Sequence, residues 1–333
     1  MLRYPAPPAR PLLTRVPLSD AALPVLDDLP WPWPGRHLAI GAIGGETLHV
    51  RDTPGQHPDA PRAVYLHGLG GSATNWTELA GLLACRADGL AVDLPGFGLS
   101  PPPANGDFRM STQADTIAAV VAATGGGPVH LFGNSMGGAI ALLLADRRPD
   151  LVRSLTLVSP AMPDLRLDIR RMSDPRMALA VLPFVGRSAR RALAALTARE
   201  RTEQLLRLCF ADPTRVTPAR FDLAVAECAE RMAMPWASNL LGPAVAAILR
   251  DWLAPPARSL WAVAHRVRVP TLVIWGDQDR VISVRKAART ARLLPRGRLL
   301  VLPRTGHAAQ MERPTSVAKA VLGMWQAVDR GDW

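Results

Sequence analysis

Lysine is almost missing from this chain: Lys286 and Lys319 are the only two, so nearly all of the 39 basic residues are arginines. The formal net charge is +11 at pH 7, yet no run of five basic residues occurs and basics do not interleave with aromatics. That pattern argues against a nucleic-acid partner, and the arginine excess reads as compositional. The charge would also suit peripheral contact with an anionic lipid surface, which salt-dependent liposome binding tests. Cysteine is scarce too. Cys85, Cys209 and Cys228 are too few and too scattered for a disulfide framework, and without a CxxC pair they suggest no zinc site, so buried free thiols are expected. No stretch approaches 18 uninterrupted apolar residues, and the first twenty residues lack the continuous apolar core of a signal peptide. A cytoplasmic protein is the expectation. What remains is 333 residues, 48% hydrophobic and 20% charged. At that length roughly three quarters of the unfolded surface can be buried, which excludes wholesale disorder.

Proline crowds residues 1–36, ending in LPWPWPG. Such a run forbids regular helix and favours extended chain, so this is an N-terminal extension whose tryptophans pack on the main body. Short apolar runs follow at His37 to Gly41, Glu46 to Arg51, Ala63 to His67, Gly89 to Asp93, Val129 to Gly133 and Ser154 to Ser159. Helical patterns lie between the later ones, at 75–85, 111–124 and 136–147. Strands alternating with helices predict an α/β fold with a mainly parallel sheet covered on both faces, and the closely spaced first pair predicts an antiparallel start. The rhythm breaks over 163–268, where helices are expected at 178–184, 189–197, 202–210, 221–232 and 240–252. Strands resume at Thr271 to Trp275 and Arg298 to Leu302, with helices near 284–294 and 314–328. A helical block inserted into an α/β core of 37–162 and 269–333 is the simplest account.

Gly133-Asn134-Ser135-Met136-Gly137 joins the apolar run VHLFG to an amphipathic helix. A Gly-x-Ser-x-Gly turn between strand and helix holds its serine in a strained conformation, and small neighbours avoid collision there. It presents the hydroxyl above the sheet and aims the Met136 amide, at the helix start, toward an oxyanion formed beside it. Serine is a weak nucleophile until a base and an orienting acid activate it. Of seven histidines, His307 alone lies in a loop just beyond the predicted last strand, at the carboxyl end where parallel sheets assemble their sites. Trp275-Gly276-Asp277-Gln278-Asp279 likewise follows a strand. Asp279 is the preferred acid; Asp277 is the alternative, since either could instead cap the following helix. In His67-Gly68-Leu69-Gly70-Gly71, glycines let backbone approach a bound oxyanion, pairing the Leu69 amide with that of Met136. His67 reads as a structural hydrogen-bonding residue.

Taken together, HGLGGS at 67–72, DLPGFGLS at 93–100, GNSMGG at 133–138, WGDQDRV at 275–281 and GHAAQMERP at 306–314 resemble the α/β-hydrolase superfamily, in order and spacing, over about 37–328. The resemblance implies an eight-stranded, mostly parallel sheet, a helical cap over 163–268, and no metal or organic cofactor. It also implies that Asp279, three residues after its glycine, is the acid. Serine at 135 argues against the dehalogenase and epoxide-hydrolase branches, which carry aspartate there. Hydrolysis of a carboxylic ester of an apolar small molecule or lipid is the leading activity implied. The elbow is also similar to that of the meta-cleavage-product hydrolases, which cut carbon–carbon bonds, but their usual tryptophan after the histidine is Ala308 here. A catalytically silent ligand receptor on the same fold is the non-enzyme alternative. Gly68 and Asn134 beside the serine, with Phe184 and Trp236 from the cap, are the candidate substrate contacts. The apolar cap favours short-to-medium apolar acyl groups.

Overall fold

Side chains alternate across a strand, so a run that is apolar at every position must be covered on both sides. In the computed structural model, which describes residues 15–41, 46–165, 188, 191–193, 195–236 and 240–333, the apolar runs form one eight-stranded sheet. Its strands are β1 (Gly35–Ile40), β2 (Glu46–Thr53), β3 (Arg62–Leu66), β4 (Asp88–Val92), β5 (Val129–Asn134), β6 (Val152–Val158), β7 (Thr271–Gly276) and β8 (Gly297–Leu302). The order is β1-β2-β4-β3-β5-β6-β7-β8. β2 is antiparallel to both β1 and β4, and all other pairs are parallel. The sequence reading is met here strand for strand.

The period-two rule then sorts the core into two halves. Val64, Leu66, Val273 and Trp275 face one side, while Ala63, Tyr65, Leu272 and Ile274 face the other. α1 (Thr77–Leu83) lies on the second side; α2 (Met110–Ala123) and α3 (Met136–Arg147) cover the first. Between β6 and β7 come α4 (Ala198–Cys209), α5 (Pro218–Met232), α6 (Leu241–Trp252) and α7 (Leu260–Arg266). Then follow α8 (Ala287–Leu293), α9 (Ala309–Glu312) and α10 (Pro314–Asp329). α4 starts in a reciprocal cap: the Thr197 hydroxyl accepts from the Glu200 amide, and the Glu200 carboxylate accepts from the Thr197 amide. α4 to α6 fall close to the spans expected of them; the helix expected at 178–184, and part of that at 189–197, lie outside the described residues. α7 falls inside the stretch expected to form the cap. Its Leu260, Trp261, Val263 and Ala264 nevertheless pack into the same core half as α3 and α8.

The chain from Val16 to Leu29, which makes one 3-10 turn at Leu26–Asp28, runs along the opposite side, with Val16, Leu23, Leu26 and Leu29 against the cluster that contains α1 and α10. Trp31 Nε1 donates to Glu78 Oε1 (3.1 Å) and Trp33 Nε1 to the Thr77 carbonyl (3.0 Å). The tryptophans of the proline-rich extension therefore dock on α1, as amphipathic rings do when their N–H finds a partner. Among the described residues no helix is long and apolar enough to cross a membrane.

One buried histidine gives the core a titratable point. His130 of β5 stacks on Trp325 of α10 at 4.1 Å and shares a hydrogen bond with Ser154 Oγ (2.7 Å). Burial, aided by Arg153 and Arg86, lowers its pKa to about 3. The neutral ring is the folded form, so this contribution to stability is complete above the unfolded value near 6.5 and is lost as pH falls toward 3. His130→Leu should therefore flatten the decline of the urea midpoint between about pH 6.5 and 3. Equal slopes in the two proteins would refute it.

Candidate active site

Five loops converge at the carboxyl end of the parallel strands. The turn from β5 to α3 places Ser135 at φ 52° and ψ −116°, a conformation uncommon for any residue with a Cβ. Close backbone packing enforces it. A Cβ at Gly133 would run into the Gly137 carbonyl, and one at Gly137 into the Leu66 carbonyl. α3 can thus press directly on β3 and β5, and Ser135 is left at its N-terminus.

Beyond β7, Asp279 is fixed by its own turn. Its Oδ1 accepts from the amides of Val281 (2.8 Å) and Ile282 (2.9 Å), and its Oδ2 lies 2.9 Å from His307 Nδ1. Its carboxylate is fully enclosed. Asp277 is exposed and its Oδ1 accepts only a longer bond from the Thr305 amide (3.3 Å) among the described residues. Of the two candidate acids, Asp279 is the one that meets the imidazole. A carboxylate at Nδ1 fixes the proton on that nitrogen and leaves Nε2 as the ring's lone-pair nitrogen. Asn134 connects the elbow to this pair: its side-chain amide donates to the carbonyls of Val158 (3.1 Å) and His307 (3.2 Å).

The loop after β3 completes the arrangement. His67 is fully buried, accepts from the Leu94 amide at Nε2 (3.0 Å) and so donates from Nδ1 to the Gly68 carbonyl (2.7 Å). Burial holds its pKa below that of a free imidazole, which keeps this neutral tautomer. The Gly71 amide donates to the same carbonyl (3.0 Å). A peptide is planar and trans, so fixing the Gly68 carbonyl turns the Leu69 N–H the opposite way. Gly68 itself sits against Ser135, where a Cβ would come 3.1 Å from the serine Cβ. Leu69 and Met136 thus belong to the two turns that meet at Ser135.

Several contributing residues escaped the sequence reading. Glu312, 3% exposed, accepts from the amides of Gly306 (2.7 Å), Ala211 (3.1 Å) and Asp212 (3.0 Å). The His307 amide donates to the Cys209 carbonyl (2.6 Å), and Arg280 reaches the Arg207 carbonyl (2.7 Å). The end of α4 is thereby locked to the loops that bear His307 and Asp279. GHAAQMERP contains Glu312, but nothing local reveals partners a hundred residues away. Burial and the Asp279 carboxylate push the Cys209 thiol up to about 12, so it is a protonated thiol near neutral pH. Trp236 is half-buried beyond α5, and Phe184 lies outside the described residues. Among the described residues no cluster of three or more His, Cys, Asp or Glu could hold a metal ion.

Known proteins resemble this chain along most of its length. It is 25% identical to monoacylglycerol lipase ABHD6 of Homo sapiens, over 85% of this chain and 79% of that protein. It is 29% identical to the dihydrolipoyllysine-residue acetyltransferase component of an acetoin cleaving system in Pseudomonas putida, over 84% and 67% respectively. Its fold superposes on that of a bacterial membrane phospholipase A with a TM-score of 0.71, at 25% identity over 89% of this chain and 86% of that one. The 2-hydroxy-6-oxo-6-phenylhexa-2,4-dienoate hydrolase of Rhodococcus sp. strain RHA1 superposes with 0.70 at 23% identity, covering 88% of this chain and 99% of that one, a likeness of fold. Residues 61–314 match the family model of the alpha/beta hydrolase fold, and with the sheet order and converging loops above, the chain belongs to that family and is a hydrolase.

Proposed function

We propose that the chain is a serine hydrolase that cleaves carboxylic esters of apolar small molecules or lipids through an acyl-enzyme. The observation that carries this reading is the strained Ser135 turn at the start of α3, with a His307–Asp279 pair supplied from the ends of β8 and β7. The lipase and phospholipase names among the relatives support ester chemistry on lipids. In the proposed cycle His307 Nε2 takes the Ser135 proton as Oγ attacks the acyl carbon. The carbonyl oxygen becomes an oxyanion facing the amides of Leu69 and Met136. Asp279 stabilises the imidazolium, which passes its proton to the departing alcohol as the C–O bond breaks. Water then attacks the acyl-enzyme, giving its proton to His307, and collapse of the second tetrahedral intermediate releases the carboxylic acid and returns the proton to Ser135.

Wild-type protein should release p-nitrophenol from acyl esters and label with a fluorophosphonate. Ser135→Ala should lower turnover by at least about a thousandfold and abolish labelling. Labelling at Ser135 without ester turnover would move carbon–carbon bond hydrolysis to the front. Loss of neither turnover nor labelling in the mutant would move the nucleophile elsewhere, and absence of both from wild type would favour a ligand receptor.

The two acids separate by kinetics: Asp279→Asn should lower kcat more than about a hundredfold, whereas Asp277→Asn leaves it within about threefold. The reverse outcome would reassign the acid. Across acetyl, octanoyl and succinyl esters, the apolar chains should be preferred over the succinyl. Equal rates on all three would count against an apolar acyl site.

A further inference from the structure

The oxyanion loop is held from two directions. From below, His67 and the Gly71 amide fix the Gly68 carbonyl. From above, the holding groups come from α5, more than 150 residues later in the chain. Ser72 Oγ donates to Glu227 Oε1 (2.5 Å) and Thr74 Oγ1 to Glu227 Oε2 (2.7 Å), so one carboxylate engages two hydroxyls of the same turn. Arg231 Nη1 donates to the Gly70 carbonyl (3.3 Å). Glu227 and Arg231 are one helical turn apart and face the same way. Gly70, at φ 72°, occupies a left-handed position that leaves its carbonyl free to meet the guanidinium. Hydrogen bonds to charged groups are shorter and stronger than neutral ones, and here both charged partners sit on an element outside the α/β core.

The geometry points to Glu227 and Arg231 as positioning residues for the oxyanion hole, acting on the Leu69 amide through the 70–74 turn. This rests on the serine-hydrolase reading above. The two side chains make the donor at Leu69 depend on where α5 sits: with α5 seated, the turn is clamped on both sides, and with it displaced the Leu69 N–H is held from below alone. Neither residue touches substrate. Their effect should fall on the charged tetrahedral intermediate and spare ground-state binding, because a backbone donor contributes most where charge develops.

The test compares wild type, Glu227→Ala, Glu227→Gln, Arg231→Ala and, as a control on the exposed face of α5, Glu230→Ala, using a p-nitrophenyl ester. A trifluoromethyl ketone, which adds Ser135 to form a hemiketal oxyanion, reports on the hole itself. In Glu227→Ala and Arg231→Ala, kcat should fall about tenfold with KM within about twofold, and the inhibition constant of the ketone should rise by the same factor as kcat/KM falls. Glu227→Gln keeps one acceptor oxygen and should recover part of the loss, while Glu230→Ala behaves as wild type. Wild-type kinetics in Glu227→Ala and Arg231→Ala would overturn the clamp and leave the hydrolase reading standing. So would a loss of activity that tracks a lowered melting temperature with ketone affinity unchanged. A wild-type protein that neither turns over ester nor labels with fluorophosphonate overturns the reading beneath it.

Discussion

Everything at this site depends on how closely α3 approaches the backbones of β3 and β5. That approach is possible because positions 133 and 137 carry no side chain, and its consequence is a serine held at positive φ with its helix beginning on the next residue. The strain costs on the order of a few kcal/mol, and the packed core supplies it. Leu131, Met136, Ile140 and Leu142 are all within 1% of full burial in the cluster that presses α3 onto the sheet. A core of this density resists local collapse, so the turn cannot relax without disturbing its neighbours. The geometry of the Ser135 turn is therefore a property of packing as much as of sequence motif.

Imidazole does three different jobs around this site. His49 pairs with the buried Asp93 (2.7 Å), whose other oxygen accepts from the Ala73 amide (2.6 Å), and thereby steadies the end of the oxyanion loop. His67 serves as a neutral bridge between two backbone groups. His307 faces a carboxylate that its own turn has already saturated with amide donors, which leaves one oxygen for the ring. Context separates these settings: His67 has a donor on one ring nitrogen and an acceptor on the other, whereas His307 has a carboxylate on Nδ1.

The central strands were legible because a sheet covered on both faces leaves a local mark, a short and mostly apolar run, as in RAVYL and TLVIWG, whereas the outer β1 carries polar residues and is buried only at Leu38 and Ile40. The elbow was legible for the same reason, since its two glycines answer a steric demand within five residues. The choice between Asp277 and Asp279 stayed open on the residues themselves, because both follow β7 and only the path of the turn decides which meets His307. Glu227 and Glu312 were illegible. Their partners lie on other elements, and a carboxylate on an amphipathic helix looks the same whether it faces water or a hydroxyl pair across the site. α7 was not foreseen as a helix: seven residues are too few for an apolar period to stand out, and its stretch was counted with the insertion although it packs on the core beside α3.

The bond from the His307 amide to the Cys209 carbonyl, with Ala211 and Asp212 gathered onto Glu312, bears on how such a protein can be recombined. The inserted segment resembles an exchangeable module, entered after β6 and left before β7. Yet its residues 207–212 belong mechanically to the His307 and Asp279 loops, and 227–231 to the turn after β3. A chimaera that swaps the segment wholesale between relatives would import foreign supports for these loops. The natural seams lie inside the insertion, on either side of those two stretches, so specificity can drift in the intervening chain while the chemistry underneath keeps its scaffold.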